Sequence, residues 1–356
     1  MQSQLTQFRE RIAAATATRT PLRLRGGGSK DWYGQAPRGE LLDTTAYSGI
    51  VAYEPTELVI TARCGTPLCE IEAALAGQRQ MLAFEPPHFG PGATVGGMVA
   101  SGLSGPRRPS VGALRDFVLG AVLMDGHGEA LRFGGQVMKN VAGYDVSRLL
   151  AGSLGTLGLI LEVSLKVLPL PVAETTVRLQ MNQQQALDSL NRWGGMPLPL
   201  SASAWHDDVL TLRLSGAQAA VAAAMRQIGG AVMEAAEAEA YWRGLREQTA
   251  TFFAQEQLLP LWRLSLPSVA PACPHAGPQL VEWGGAQRWL RSGADPSAVR
   301  ALAAELGGHA TLYRGGTPDG GVFHPLAPAV HAIHRNLKNA FDPAHIFNPG
   351  RMYQDL

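Results

Sequence analysis

The chain is poor in cysteine. Its 356 residues include three, Cys64, Cys69 and Cys273, an odd number with no Cys-x-x-Cys pair. That excludes a disulfide scaffold and supplies too few thiolates for most iron–sulfur clusters. Electron transfer through such clusters would belong to another protein, and Cys64 and Cys69, near an apolar stretch, read as small buried residues. Charge is scarce as well. Charged residues make up 17% and the net charge is +1, which argues for neither a nucleic-acid partner nor an anionic membrane surface. No apolar run approaches the roughly 20 residues that span a bilayer. Residues 1–20 lack the apolar stretch of a secretory signal. A cytoplasmic location is the expectation, with any membrane association made through partners. Internal repeats and low-complexity segments are missing. So are the two common nucleotide fingerprints: there is no Gly-x-x-x-x-Gly-Lys-Ser/Thr loop, and no Gly-x-Gly-x-x-Gly opens a helix after a strand.

What the chain has instead is two glycine-rich turns. The short alternating run from Pro21 to Arg25 ends in Gly26-Gly27-Gly28-Ser29-Lys30. Glycine admits positive φ and close backbone approach. Successive bare N–H groups in such a turn form a concave anion site. The Ser29 hydroxyl and the Lys30 charge add what a pyrophosphate needs. A second segment, Pro91-Gly92-Ala93-Thr94-Val95-Gly96-Gly97, follows, and two such turns suggest one large dinucleotide held from both sides.

The periodicity predicts a helix over 4–17, strands over 49–53 and 58–62, a helix over 67–77 and a short helix over 94–101. Asp125-Gly126-His127-Gly128 reads as a hairpin turn between strands 117–124 and 129–133. Residues 159–167 alternate cleanly, with Leu161, Val163, Leu165 and Val167 on one face. Leu168-Pro169-Leu170-Pro171 punctuates the chain, and beyond it the order β-α-β-β-α-β resembles a split βαβ sandwich. The expected organisation is α+β: residues 1–171 a cofactor domain, 172–320 a ferredoxin-like α+β cap, and 321–356 a C-terminal segment that returns to the cofactor.

Four motifs in order resemble the vanillyl-alcohol-oxidase (PCMH-type) family of FAD-binding domains. They are Gly26 to Ser29; Pro91 to Gly97; Gly152-Ser153-Leu154-Gly155-Thr156-Leu157-Gly158-Leu159; and Phe341-Asp342-Pro343-Ala344-His345-Ile346-Phe347-Asn348-Pro349-Gly350. The string from Gly135 to Asp145 is similar to the flavin-binding subunits of bacterial glycolate oxidase, the shorter kind by length. The resemblance implies a two-subdomain FAD-binding fold. Gly26, Gly27, Gly28, Ser29 and Lys30 would hold the pyrophosphate. Pro91, Gly92, Thr94, Gly96, Gly97, Ser101 and Gly102 would continue the cradle. Lys139 would lie near the flavin. Gly152, Ser153, Gly155, Thr156, Gly158 and Ile160 would face adenine and diphosphate, and the Asn348 amide would reach the isoalloxazine edge. The first turn has no His or Cys for a covalent link and His88 is the only nearby one, so non-covalent FAD is expected. Arg107 and Arg108 read as a solvated basic step.

Larger hydroxy-acid dehydrogenases of this family carry a His-rich metal-binding segment. This chain has none: His206 with Asp207 and Asp208, then His275 and His309 singly, lack the spacing of a metal site. No metal and no catalytic residue can be named. The resemblance therefore implies an FAD-binding subunit of a glycolate oxidase complex. A larger flavin subunit would oxidise glycolate to glyoxylate, and an iron–sulfur subunit would take the electrons. The rivals are a free-standing flavin oxidoreductase acting on a small 2-hydroxy acid and a structural subunit with a vestigial FAD site.

Overall fold

A computed structural model describes residues 2–135, 145–254, 259–274, 277–316 and 320–356. Lys139 and His275 lie outside this set.

The N-terminal helix Gln2–Thr18 buries Phe8, Ile12 and Ala15 on one side. The strand Leu22–Arg25 then pairs in parallel with Glu40–Asp43. A separate five-stranded sheet has the order Ile50–Glu54, Val59–Arg63, Leu159–Lys166, Val118–Met124, Ala130–Gly134. Leu159–Lys166 takes the central place because nearly all of it is apolar or pairable. Leu161, Val163 and Leu165 enter the core, and on the other face the Ser164 and Thr61 hydroxyls bond at 2.8 Å. The hairpin forms as its turn residues predict, with Asp125 Oδ1 accepting the amides of His127 and Glu129, each at 2.9 Å. The short helix Val95–Ser101 starts where Thr94 accepts the Gly97 amide.

Between Lys166 and Ala173 the chain leaves this sheet and enters an antiparallel one of eight strands. Its order is Ala231–Val232, Ala173–Gln180, Val209–Gly216, Leu200–His206, Gln279–Glu282, Gln287–Arg291, Leu261–Ser265, His309–Arg314. The sequence predicts one β-α-β-β-α-β unit with the 262–266 strand closing it. The structure corrects this. The first unit closes on the two-residue strand Ala231–Val232. Leu261–Ser265 opens a second unit of the same strand order, and the two join edge to edge through Leu200–His206 and Gln279–Glu282. The first unit carries the helices Gln183–Gly194 and Gln218–Ile228; the second carries Pro296–Glu305. Where its other helix would run lies a segment with Pro267, Pro271, Pro274 and Pro278, which lack the amide a helix interior needs.

The helix Ala235–Arg246, absent from the sequence reading, starts where the Glu234 carboxylate accepts the amides of Ala236 and Glu237. The last helix, Pro328–Phe341, hands the chain to a strap that returns to the first strand, where Phe347 bridges Leu22 in parallel.

Candidate functional site

The first glycine turn follows directly from the strand Leu22–Arg25, which is held on one edge by Glu40–Asp43 and on the other by the C-terminal strap. Among the described residues, the amides of Gly26, Gly27, Gly28 and Ser29 donate to no protein acceptor. A run of free N–H groups facing a groove is a built anion site. Two glycines here are required by geometry. A Cβ on Gly27 would lie 1.4 Å from the Gly92 carbonyl oxygen, so the two glycine segments touch backbone to backbone. Gly28 sits at φ +75 with the Arg25 guanidinium across it.

A groove runs from this turn between the helix Val95–Ser101 and the 154–160 segment. Of the residues expected from sequence, Gly26, Gly27, Gly28, Ser29, Lys30, Thr94, Gly96, Gly97, Ser101, Gly155, Gly158, Ile160 and Asn348 line it. Pro91, Gly92, Gly102, Gly152, Ser153 and Thr156 do not, for a physical reason: they brace the walls. Gly92 carries Gly27, and Gly102 packs on Gly152, where a Cβ would approach within 2.8 Å. The Thr156 hydroxyl donates to the Ser153 carbonyl at 2.8 Å. The groove also takes Leu24, Arg25, Asp31, Cys64, Ala100, Leu154 and Arg351. Of these only Arg25 and Arg351 carried a legible signal, as cations beside quoted motifs.

Charge in the groove is positive at its turn end. Arg25 Nε pairs with Asp31 at 2.7 Å. The Lys30 ammonium donates to the His88 carbonyl at 3.2 Å and lies 5.5 Å from the Phe89 ring. Burial pulls its pKa down to about 8, against the opposing pull of Glu247. Cys64, beneath Gly96, is a neutral thiol, because burial pushes it up to about 12. Arg351 is a clamp: it donates to the Asp31 carbonyl at 2.8 Å and to the carbonyl of Gln35.

Asn348 has a protein role that the sequence reading missed. Its Oδ1 accepts the Leu24 amide at 2.9 Å and its Nδ2 donates to the Leu154 carbonyl at 2.7 Å. The side chain thus ties the first strand to the opposite wall of the groove. The strap that carries it is fixed by Lys338, which is 2% exposed. Its Nζ donates to Asp342 Oδ2 at 2.6 Å, to the Thr156 carbonyl at 2.7 Å and to the Phe347 carbonyl at 2.8 Å. Asp342 in turn accepts the amides of Ile346 and Phe347. Both members of the pair are buried and each is fully hydrogen-bonded, which a buried ion pair needs if it is not to be a liability.

The residues present fit a dinucleotide. The free amides and Lys30 suit phosphate oxygens, and the small, apolar floor of Gly97, Ala100, Leu154 and Gly155 admits flat rings. Elsewhere, no group of three or more His, Cys, Asp or Glu among the described residues could hold a metal ion. His206 lies 3.3 Å from Asp207 and 3.0 Å from the Gln279 carbonyl, and His309 faces His324. Arg107 is not solvated as expected. It is buried, pairing with Glu174 at 2.7 Å and Glu85 at 3.4 Å.

Residues 3–134 match the family described as an FAD binding domain. The chain is 49% identical over 349 residues to glycolate oxidase subunit GlcE of Escherichia coli, covering 98% of this chain and 97% of that protein. It is 31% identical to glycolate oxidase subunit GlcD of Bacillus subtilis, over 45% of this chain and 34% of that one. The structure of an alkyldihydroxyacetonephosphate synthase superposes on 96% of the chain, and on 74% of its own, with a TM-score of 0.67 at 14% identity. That likeness speaks to the fold alone. No described helix is long and apolar enough to cross a membrane.

Proposed function

The chain belongs to the family of glycolate oxidase subunit GlcE, FAD-binding oxidoreductases, and on that premise we propose that it is the FAD-binding subunit of a complex that oxidises glycolate to glyoxylate. The observation that carries this is the identity of 49% over 98% of the chain, and the groove agrees with it. The amides of 26–29 and Lys30 bind the pyrophosphate. Gly155, Gly158 and Ile160 flank the adenine side. Asn348 and Arg351 hold the turn and the opposite wall in register. No His or Cys stands at the turn to form a covalent bond, and Cys64 is a buried neutral thiol, so the cofactor is held non-covalently.

Oxidation of glycolate removes two electrons and two protons. With no metal-ligating cluster among the described residues of the cap, the hydroxy acid is oxidised on a larger flavin subunit, and this chain passes electrons towards an iron–sulfur subunit. Bound FAD supplies the one- and two-electron chemistry such a relay requires. The chain's own task is to hold that group, exclude water from the groove and present it to the partners.

The test is spectroscopic and kinetic. The chain is purified alone and with its two partners, and dye reduction by glycolate is followed in both. A yellow protein that releases FAD on acid denaturation, and turns over only with the larger flavin subunit, is the expected result. A colourless chain would leave the structural-subunit reading, and turnover by the isolated chain would establish the free-standing one.

A further inference from the structure

The segment that leads into the second glycine turn is held from the cap. Residues 85–92 belong to no helix or strand. Pro86, Pro87 and Pro91 lack an amide N–H, so between 86 and 91 only His88, Phe89 and Gly90 can donate from the backbone. Two of these three amides go to one atom. The N–H groups of His88 and Phe89 donate to Glu247 Oε2 at 3.0 and 2.9 Å. The same residue, His88, accepts the Lys30 ammonium on its carbonyl at 3.2 Å. Four residues on, the carbonyl of Gly92 is the one that presses on Gly27.

Glu247 is the residue that ends the helix Ala235–Arg246. The cap sheet holds that helix through the Trp242 indole, which donates to the Thr176 hydroxyl at 2.9 Å. A carboxylate at a helix C-terminus opposes the helix dipole, so the helix does not account for it. Its partners lie across the seam between the cap and the cofactor half. Arg246 Nε steadies Glu247 Oε1 at 2.8 Å. Arg246 Nη1 and His88 Nε2 both reach Glu72 of the helix Leu68–Ala76, at 3.6 and 3.1 Å. The loop is thus tied to the cap through two amides and to the cofactor half through its own imidazole.

Glu247 also bears on the charge of Lys30, opposing the downward pull of burial. The other charged groups around that ammonium come from three elements. The Arg25–Asp31 pair, at 2.7 Å, belongs to its own turn. Arg351 of the strap donates to the Lys30 carbonyl at 3.4 Å. Arg314, from the strand His309–Arg314, shares the Phe89 ring with Lys30, at 5.2 and 5.5 Å from its centre.

We propose that Glu247, a residue of the cap, is a positioning residue of the cofactor groove. It holds the 88–92 loop against the first glycine turn and supplies the counter-charge behind Lys30, so that the seating of the cap and the affinity of the groove for a dinucleotide are coupled. The coupling is reciprocal: occupation of the groove favours the seated cap to the same degree. The identity of the dinucleotide as FAD rests on the reading above.

FAD affinity is measured by fluorescence quenching from pH 6 to 10 on the full-length chain. The proteins are wild type, Glu247→Ala, Glu247→Gln, Lys30→Met, and Lys30→Met with Glu247→Gln. Glu247→Ala, which removes the acceptor of two amides, is expected to bind about tenfold more weakly at pH 6. Glu247→Gln keeps an acceptor oxygen and loses the charge. It should recover most of that affinity at pH 6, and its affinity should then begin to fall at a lower pH than in wild type, where the fall begins near about 8. In the Lys30→Met background the shift caused by Glu247→Gln should vanish. Hydrogen exchange across 235–247 should slow on FAD binding in wild type and not in Glu247→Ala. Glu247→Ala binding as tightly as wild type, a Glu247→Gln profile that superimposes on wild type, the same shift without Lys30, or exchange in the cap helix indifferent to FAD would each overturn the inference. If Glu247→Ala does not fold, the pH shift of Glu247→Gln decides alone. A wild-type chain that binds no FAD at any pH overturns the subunit reading. FAD bound alike by wild type and both Glu247 variants overturns this inference and leaves that reading intact.

Discussion

At the scale of the residue, Lys30 decides most about the cofactor groove. Its ammonium is charged below about 8 and neutral above. Between about 8 and its ordinary value of 10.5 the folded chain binds fewer protons than the unfolded one, so the stability of the ligand-free chain rises with pH there. Affinity for an anionic ligand runs the other way, because the charge that attracts phosphate is lost as pH climbs through the same window. FAD affinity measured by fluorescence quenching between pH 6 and 10 should therefore fall by about tenfold per 1.4 kcal/mol of lost interaction. In Lys30→Met it should be weaker at pH 7 and flat with pH. A profile with the same slope in both proteins would remove Lys30 from the phosphate site. Gly27 makes the complementary point about legibility. The triple glycine was readable as an anion turn, but its tightest constraint is the Gly92 carbonyl pressed against it, a long-range contact that local spacing does not encode.

At the scale of the element, the C-terminal strap does for the groove what no single groove residue can. Lys338 joins the last helix, the Thr156 carbonyl and the strap, and Asn348 joins the strap to Leu24 and Leu154. The motif from Phe341 to Gly350 is expected from the sequence to return to the flavin; the structure brings it to the first strand and the groove wall at Leu22, Leu24 and Leu154. Lys338 is not legible, because one lysine on an amphipathic helix reads as a solvated charge until the fold buries it. Removing it strands Asp342 without a counter-ion, at a cost of about 3–5 kcal/mol. Lys338→Met should lower Tm by that equivalent and weaken FAD binding. Lys338→Met with Asp342→Asn should recover part of the stability, since both charges are then gone. Chemical denaturation of the two variants and wild type forms the check. Equal losses in single and double variants would mean the pair is not coupled. The same limit on local reading explains the cap. The helices and strands of its first unit are readable from periodicity, whereas the strand Gln287–Arg291 is not, because Gln-Arg-Trp-Leu-Arg has no apolar–polar alternation and buries all five residues, both arginines included.

At the scale of the whole molecule, the two halves are joined by an ionic cluster, its guanidiniums buried and Glu174 at its exposed edge, rather than by apolar surface alone. Arg107, from the cofactor half, meets Glu174 at the start of the cap sheet, and Glu85 of the cofactor half receives Arg213 of the cap at 2.8 Å. The Ser215 hydroxyl donates to Glu174 at 2.6 Å. The cluster is closed: each carboxylate meets a guanidinium from the opposite half, and each guanidinium is almost fully buried. Such a network fixes orientation more than it adds stability, because much of its attraction offsets desolvation. Breaking one member leaves the others uncompensated across the seam, so the penalty falls on the joint and not on either core. Arg107→Met should therefore split a single calorimetric unfolding transition into two, with the cofactor half and the cap melting separately, while neutral pairing in Arg107→Met with Glu174→Gln should bring the transitions back together. If Arg107→Met melts in one transition shifted as a block, the halves are held by their apolar contacts and the cluster is incidental.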